Sequence, residues 1–251
     1  MTKSYKDPTK NHLLASLPKA EFDRLAAHFE LVEMKVGETL YESHGELKHV
    51  YFPTTAIVSL LYELENGETA AIAVVGREAI LGIALFLGGE TTPNLAVVQC
   101  AGYAYRLQAG FLNKEFNRAG PVLRLLLRYT QALITQMQQT AVCNTHHSVE
   151  QQLCRWLLLT FDRLPTHTLA MTQWRIADML GVSREAINVA AGKLHRAGLI
   201  TSGGGRINVL DRPGLERAAC ECYYVVRQEY DRLIIDIPAH DPRHVLGVSS
   251  G

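Results

Sequence analysis

Residues 171–196, MTQWRIADMLGVSREAINVAAGKLHR, constrain this chain more than any other stretch. Ile176, Met179 and Leu180 recur at helical spacing before Gly181, and Ile187, Ala190, Ala191 and Leu194 do so after it, with Val182 between. This period of threes and fours marks two amphipathic helices. Thr172 and Ser183 each precede a helical run, where a hydroxyl accepts from the free N–H groups of the first turn. Gly181 falls at the junction, where a sharp reversal needs a backbone geometry that glycine adopts without steric cost. Two short helices on a glycine turn make a helix-turn-helix, whose second helix fits the DNA major groove. An ordinary helical hairpin with solvated charges has the same apolar spacing, so the exposed residues have to separate the two readings.

Those residues favour nucleic acid. Arg184 and Glu185 follow the Ser183 cap, at the groove-facing end of the second helix. Arg donates two hydrogen bonds to guanine and Glu accepts from cytosine N4. Asn188 lies one turn on. From Thr168 to Gly214 there are six basic residues (Arg175, Arg184, Lys193, Arg196, Arg206, Arg212) against three acids (Asp178, Glu185, Asp211), in a chain of zero net charge. Gly198–Leu210, GLITSGGGRINVL, reads as strand, glycine turn, strand. A hairpin placed there is a wing, from which Arg206 can reach a phosphate.

Ala177–Leu180, Gly181-Val182-Ser183-Arg184-Glu185 and Lys193–Ile200 (KLHRAGLI) together resemble the winged helix-turn-helix of the Crp/Fnr family, bacterial transcription regulators named for the cyclic-AMP receptor protein and the fumarate-nitrate regulator. Tyr51-Phe52-Pro53, Gly76-Arg77-Glu78 and Gly102-Tyr103-Ala104 extend the resemblance, which spans roughly residues 12–230. It implies an α+β fold: a β-roll sensor (a cyclic-nucleotide-binding-like jelly roll) over 12–118, a dimerisation helix over 119–147 and the winged helix-turn-helix over 148–237. The implied DNA-facing set is Thr172, Gln173, Ser183, Arg184, Glu185, Asn188, Lys193 and Arg206. The implied partners are double-stranded DNA, a second copy of the chain and RNA polymerase. In the family another Arg follows four residues after the Glu; Val189 stands there here, so the operator is expected to depart from the family consensus.

Composition sets the remaining bounds. The 47% apolar content of the 251 residues is that of a globular chain. Overall neutrality does not oppose DNA binding when the basic charge is local. No apolar run approaches the roughly 20 residues a membrane span requires, and MTKSYKDPTK has no secretory core. Five cysteines (Cys100, Cys143, Cys154, Cys220, Cys222) make an odd count without a disulfide framework, so a reducing cytoplasm is expected. Cys220 and Cys222 are too closely spaced for the common zinc motifs and have no second pair. His146 and His147, as neighbours, point to different helix faces. No metal and no cofactor are expected. Gly-x-Ser-x-Gly, His-Glu-x-x-His and Walker loops are missing, so no catalytic residues are expected either.

Along the chain, Asn11–Phe29 gives two short helices broken at Pro18. Glu30–Leu107 carries short β-rich runs, with Asn66-Gly67 joining Ala56–Leu64 to Thr69–Val75. Pro121–Trp156 is the longest helical stretch. Leu123, Leu126, Thr130, Leu133, Met137, Thr140, Asn144 and His147 alternate at coiled-coil spacing, apolar early and polar late, which predicts a dimer seam through Leu126, Leu133 and Met137. The other reading is a core helix, with Leu127, Ile134 and Ala141 on the packed face. Trp156, Leu157 and Phe161 are expected in the core of the DNA-binding domain. Pro213–Ile237 reads as one final helix, followed by a loose tail.

The resemblance also carries a negative expectation. Cyclic-nucleotide β-rolls open their phosphate cassette with Gly-Glu, the Glu taking the ribose, and close it with Pro-Arg and a small residue, the Arg neutralising the phosphate. In Gly82–Val98, GIALFLGGETTPNLAVV, Ile83 replaces that Glu, and Asn94 and Leu95 follow Pro93. On the dimer helix, where the family places a Thr-Ser pair against adenine, Thr140 is followed by Ala141. Cyclic AMP is therefore not the expected effector, and the alternative is a regulator that responds to a cyclic nucleotide or another small ligand through a non-standard pocket. An iron–sulfur cluster lacks N-terminal cysteines, and a haem would rely on His44 or His49.

Overall fold

The computed structural model describes residues 6–164, 166 and 168–235. Asn11 starts the fold. Its side chain is fully buried, accepts from the Leu14 N–H at 3.2 Å, and donates to the Pro53 and Ala79 carbonyls at 2.9 and 2.8 Å. It thus caps α1 (His12–Ala15) and pins it to the β-roll. Pro18 then opens α2 (Lys19–Ala26).

Seven strands make two antiparallel sheets. One orders β1 (Glu30–Met34), β7 (Gly102–Gln108) and β3 (His49–Pro53); the other orders β2 (Thr39–Tyr41), β6 (Asn94–Cys100), β4 (Ile57–Glu63) and β5 (Thr69–Val75). Val50, Phe52, Ile57, Val58, Val75, Val98 and Leu107 fill the core. The β4–β5 hairpin forms where expected, closed through Leu64 N–H to the Glu68 carbonyl at 2.8 Å. Gly67 at φ +82° takes the left-handed position of a three-residue loop. At Gly102 a side chain would collide with the Thr55–Ala56 backbone, so only glycine lets β7 begin there. The stretch 82–98 forms α3 (Ala84–Leu87), a loop, and β6.

After α4 (Ala109–Phe116) comes α5 (Pro121–His146), the longest helix. It stops earlier than the helical pattern to Trp156 suggests. His147 is extended at φ −110°, ψ 150°, and Ser148 and Gln151 form a reciprocal capping box that starts α6 (Val149–Phe161). The expected seam is corrected in part. Leu126 (2% exposed) and Leu133 (1%) pack into the chain's own core, and Met137 is half-buried against it. Leu127 and Ile134, each 48% exposed, lie with Ala141 on the solvent side at intervals of seven. The i+7 rule relates residues within either stripe and does not say which stripe meets the β-roll; Tyr129, buried and donating to the Ile80 carbonyl at 2.9 Å, sets that rotation.

The C-terminal part holds α7 (Gln173–Leu180), α8 (Arg184–Arg196) and a three-stranded sheet ordering β8 (Thr168–Ala170), β10 (Arg206–Val209) and β9 (Ile200–Gly203). Trp156, Leu157 and Phe161 are buried in it as expected. The single final helix is corrected to two. α9 (Arg212–Ala218) ends where Ala219 and Cys220 turn extended, α10 (Glu221–Tyr230) follows, and a π-helical turn spans Asp231–Ile235. The break lets α10 fold back along α5. Residues 236 and 237 of the expected helix, and the expected loose tail, lie outside the described residues.

Candidate nucleic-acid interface

Local chemistry builds the helix-turn-helix as the sequence predicts. The Thr172 hydroxyl accepts from Arg175 N–H at 3.4 Å and the Ser183 hydroxyl from Ala186 N–H at 3.2 Å. Gly181, at φ +65°, ends α7 in the left-handed conformation. Ile176, Ala177, Leu180, Ile187, Ala190, Ala191 and Leu194 are buried, so the polar faces of both helices turn outward. Arg184, Glu185 and Asn188 are exposed on α8. The wing turns at Gly204 and Gly205, both at positive φ (57° and 71°), as a two-residue hairpin turn requires.

A groove of about 330 Å³ separates the start of α8 from the wing, lined by Thr172, Gln173, Trp174, Arg184, Ser202 and Arg206 among others. The Gln173 side chain donates to the Ser202 hydroxyl at 3.2 Å, which ties α7 to the wing. Two guanidinium groups from different elements thus border one groove, a charge arrangement suited to a polyanion. Trp174, 59% exposed, joins this rim and was not singled out from sequence. Its indole breaks the apolar period of α7, which is the signal that it faces outward.

Other expected members stand apart. Lys193 lies on the later half of α8 and pairs with Glu150 of α6 at 3.2 Å. Arg212, counted in the local basic excess but not in the DNA-facing set, is ion-paired with Asp162 and, at 3.0 Å, with Glu216. Those carboxylates hold its guanidinium proton more tightly than usual despite partial burial. The basic excess counted along the chain is therefore smaller on the groove face than the sequence suggests.

The β-roll grips this domain at two places. Met179 of α7 packs on Leu61, Ala71 and Leu95, so β4 is buried at consecutive positions instead of alternating. Arg163, just after α6, is nearly fully buried and donates to Glu78 at 2.5 Å, to the Gln136 carboxamide oxygen of α5 at 3.1 Å and to the Leu159 carbonyl. Arg77 donates to the Asp162 carbonyl at 3.1 Å. A side chain at Gly76 would sit 2.9 Å from the Arg163 Cβ, so glycine permits this approach. The Gly76-Arg77-Glu78 motif is thus the joint between the β-roll and the helix-turn-helix domain.

A β-roll is thus joined through one long helix to a winged helix-turn-helix. Residues 151–218 match the family model of the Crp-like helix-turn-helix domain. The chain superposes on FixK2 of Bradyrhizobium japonicum (TM-score 0.67, 19% identity, covering 76% of this chain and 98% of that one). It also superposes on a putative Crp/Fnr transcriptional regulator of Eubacterium rectale (0.64, 14%, 84% and 98%) and on the c-di-GMP-responsive global regulator CLP of Xanthomonas campestris (0.61, 16%, 77% and 100%). Comparison with curated protein sequences gives no match. Residues 151–218 are thus similar to the Crp-like helix-turn-helix domain, and the chain as a whole has the fold of the solved Crp/Fnr structures. Among the described residues no helix is long and apolar enough to cross a membrane.

Proposed function

We propose that this chain is a sequence-specific, non-enzymatic transcription regulator of the Crp/Fnr type, acting in the cytoplasm as a homodimer on a near-palindromic operator. The observation that carries the reading is the groove that Arg184 and Arg206 border together. Arg184, with Glu185 and Asn188, reads bases, and Arg206 holds phosphate. Thr172, Gln173 and Ser183 fix the helix starts beside the backbone, and Lys193 adds charge. The second copy docks along Leu127, Ile134 and Ala141, whose sevenfold spacing suits a coiled coil. RNA polymerase is the further partner of such a regulator.

Cyclic AMP does not govern it. The space between β5, α5 and α7 is closed to about 20 Å³ by Val74, Gln136, Thr140, Trp156 and Met179. That holds one water, whereas ligand pockets run to roughly 300 Å³ and more. Leu95, near the place of the phosphate-binding Arg, is committed to the Met179 cluster. A second reading, control by another small ligand, has one observation in its favour. An open cleft of about 640 Å³ beside the loop after α3 is lined by Lys48, His49, Gly88, Gly89, Glu90 and Asn113.

Selection of binding sites from random DNA tests the proposal. A palindromic consensus with half-sites about 34 Å apart, bound without added nucleotide, supports it. Binding without sequence preference, or binding that needs micromolar cyclic AMP, refutes it.

A further inference from the structure

Four metal-ligating side chains converge at the far end of α5. Cys143 and His147 come from the last turn of that helix and its cap, and Cys220 and Cys222 from the start of α10. Their ligand atoms all lie within 4.8 Å of one another, and the three thiols are buried. Cys143 Sγ is 3.6 Å from Cys220 Sγ, and Cys222 Sγ is 3.6 Å from His147 Nδ1. In a tetrahedral zinc site, with bonds of about 2.3 Å to sulfur and 2.0 Å to nitrogen, the ligand atoms stand about 3.5–3.8 Å apart. We propose that Cys143, His147, Cys220 and Cys222 form a Cys3His site for a thiophilic divalent cation, zinc, that fastens the C-terminal helix to the end of the inter-domain helix.

The surroundings fit that chemistry. His147 Nε2 lies 3.3 Å from the Glu221 carboxylate. A metal-bound imidazole donates its other N–H to such a group, which fixes the tautomer with Nδ1 toward the metal. Gln152 donates to the His147 and Cys143 carbonyls at 2.9 and 3.4 Å, holding the backbone that presents both ligands. Three thiolates on a dication leave one negative charge. Arg155 is buried, its charge acts on Cys143 and Cys222, and no carboxylate pairs with it among the described residues. A buried guanidinium without an acid is costly unless an anion faces it, and the loaded site supplies that anion. Sequence spacing hid the site because its halves lie on helices that only the fold brings together.

The test is metal analysis of the full chain purified anaerobically without chelator, followed by titration of the stripped protein with zinc and with cobalt. One zinc per chain, and a cobalt form with tetrahedral visible bands and thiolate charge transfer, are expected. Cys222→Ser should weaken zinc binding at least tenfold, Glu221→Gln about tenfold, and Cys100→Ser, outside the cluster, should leave it unchanged. The cobalt spectrum of the wild type keeps the test decisive if Cys222→Ser misfolds. A folded wild type that carries no metal and takes up neither ion at micromolar concentration overturns the proposal, whether its cysteines are free or joined as a Cys143–Cys220 disulfide. So does zinc bound equally well by Cys222→Ser.

Discussion

Glu78→Ala should loosen the hold of the β-roll on the DNA-binding domain. Its carboxylate is the charged partner of Arg163, with side chains 11% and 5% exposed. Removing one partner of a buried pair costs about 3–5 kcal/mol, because the other charge stays buried. Arg163 would keep two neutral acceptors, Gln136 and the Leu159 carbonyl, so the expected loss is near the lower figure, about 3 kcal/mol. With a urea m-value of about 2–3 kcal/mol/M, the midpoint falls by roughly 1–1.5 M. The loss crosses a domain joint, so the transition should also split into two. Replacing both residues, Glu78→Leu with Arg163→Met, removes the stranded charge and takes a neutral hydrogen-bond partner from the Gln136 oxygen, the Leu159 carbonyl and the Gly76 N–H, each at a cost of about 1–3 kcal/mol where no other partner replaces it. The double variant should therefore be more stable than the sum of the single losses predicts. Urea unfolding followed by tryptophan fluorescence measures Glu78→Ala, the double variant and its two single parents, since Trp156 lies in the same domain as Arg163. A loss below about 1 kcal/mol for Glu78→Ala, or strict additivity in the double variant, would refute the reasoning from burial.

Other outcomes follow from the same geometry. Arg184→Ala should cost about 1–3 kcal/mol on the selected site and less on random DNA; a competition assay reads the difference, and equal losses would make Arg184 a phosphate contact. Arg206→Ala should weaken binding on all sequences and lower the salt slope by about one, as measured by titration at several salt concentrations. Leu127→Asp should give folded monomers by light scattering, whereas Leu133→Asp should unfold the chain, because its side chain is in the core; folded Leu133→Asp monomers would contradict the orientation of α5. The proton affinity of the His12 imidazole is lowered by burial first and by the charge of Arg77 second. The unfolded state therefore takes up that proton first, and stability should fall as pH drops below about 6.5. His12→Asn should flatten that part of the stability-versus-pH curve.

The helix-turn-helix was legible in the sequence because everything that makes it is local. Caps at Thr172 and Ser183, the turn at Gly181 and the apolar period act within a few residues, and the structure reproduces them. The same holds for the Asn66-Gly67 hairpin and the wing. Periodicity finds the faces of a helix and is silent on what covers each. Hence the stripe through Leu126 and Leu133 is buried while Leu127 and Ile134 look outward, a choice made by Tyr129 and the β-roll core. Charge counted along the chain likewise missed that Arg212 is spent on Asp162, a partner 50 residues away. The break at Ala219–Cys220 and the meeting of Cys143 and His147 with Cys220 and Cys222 depend on α10 folding back along α5. Short-range sterics and hydrogen bonds determined the elements of this protein, and long-range packing decided which of their residues meet.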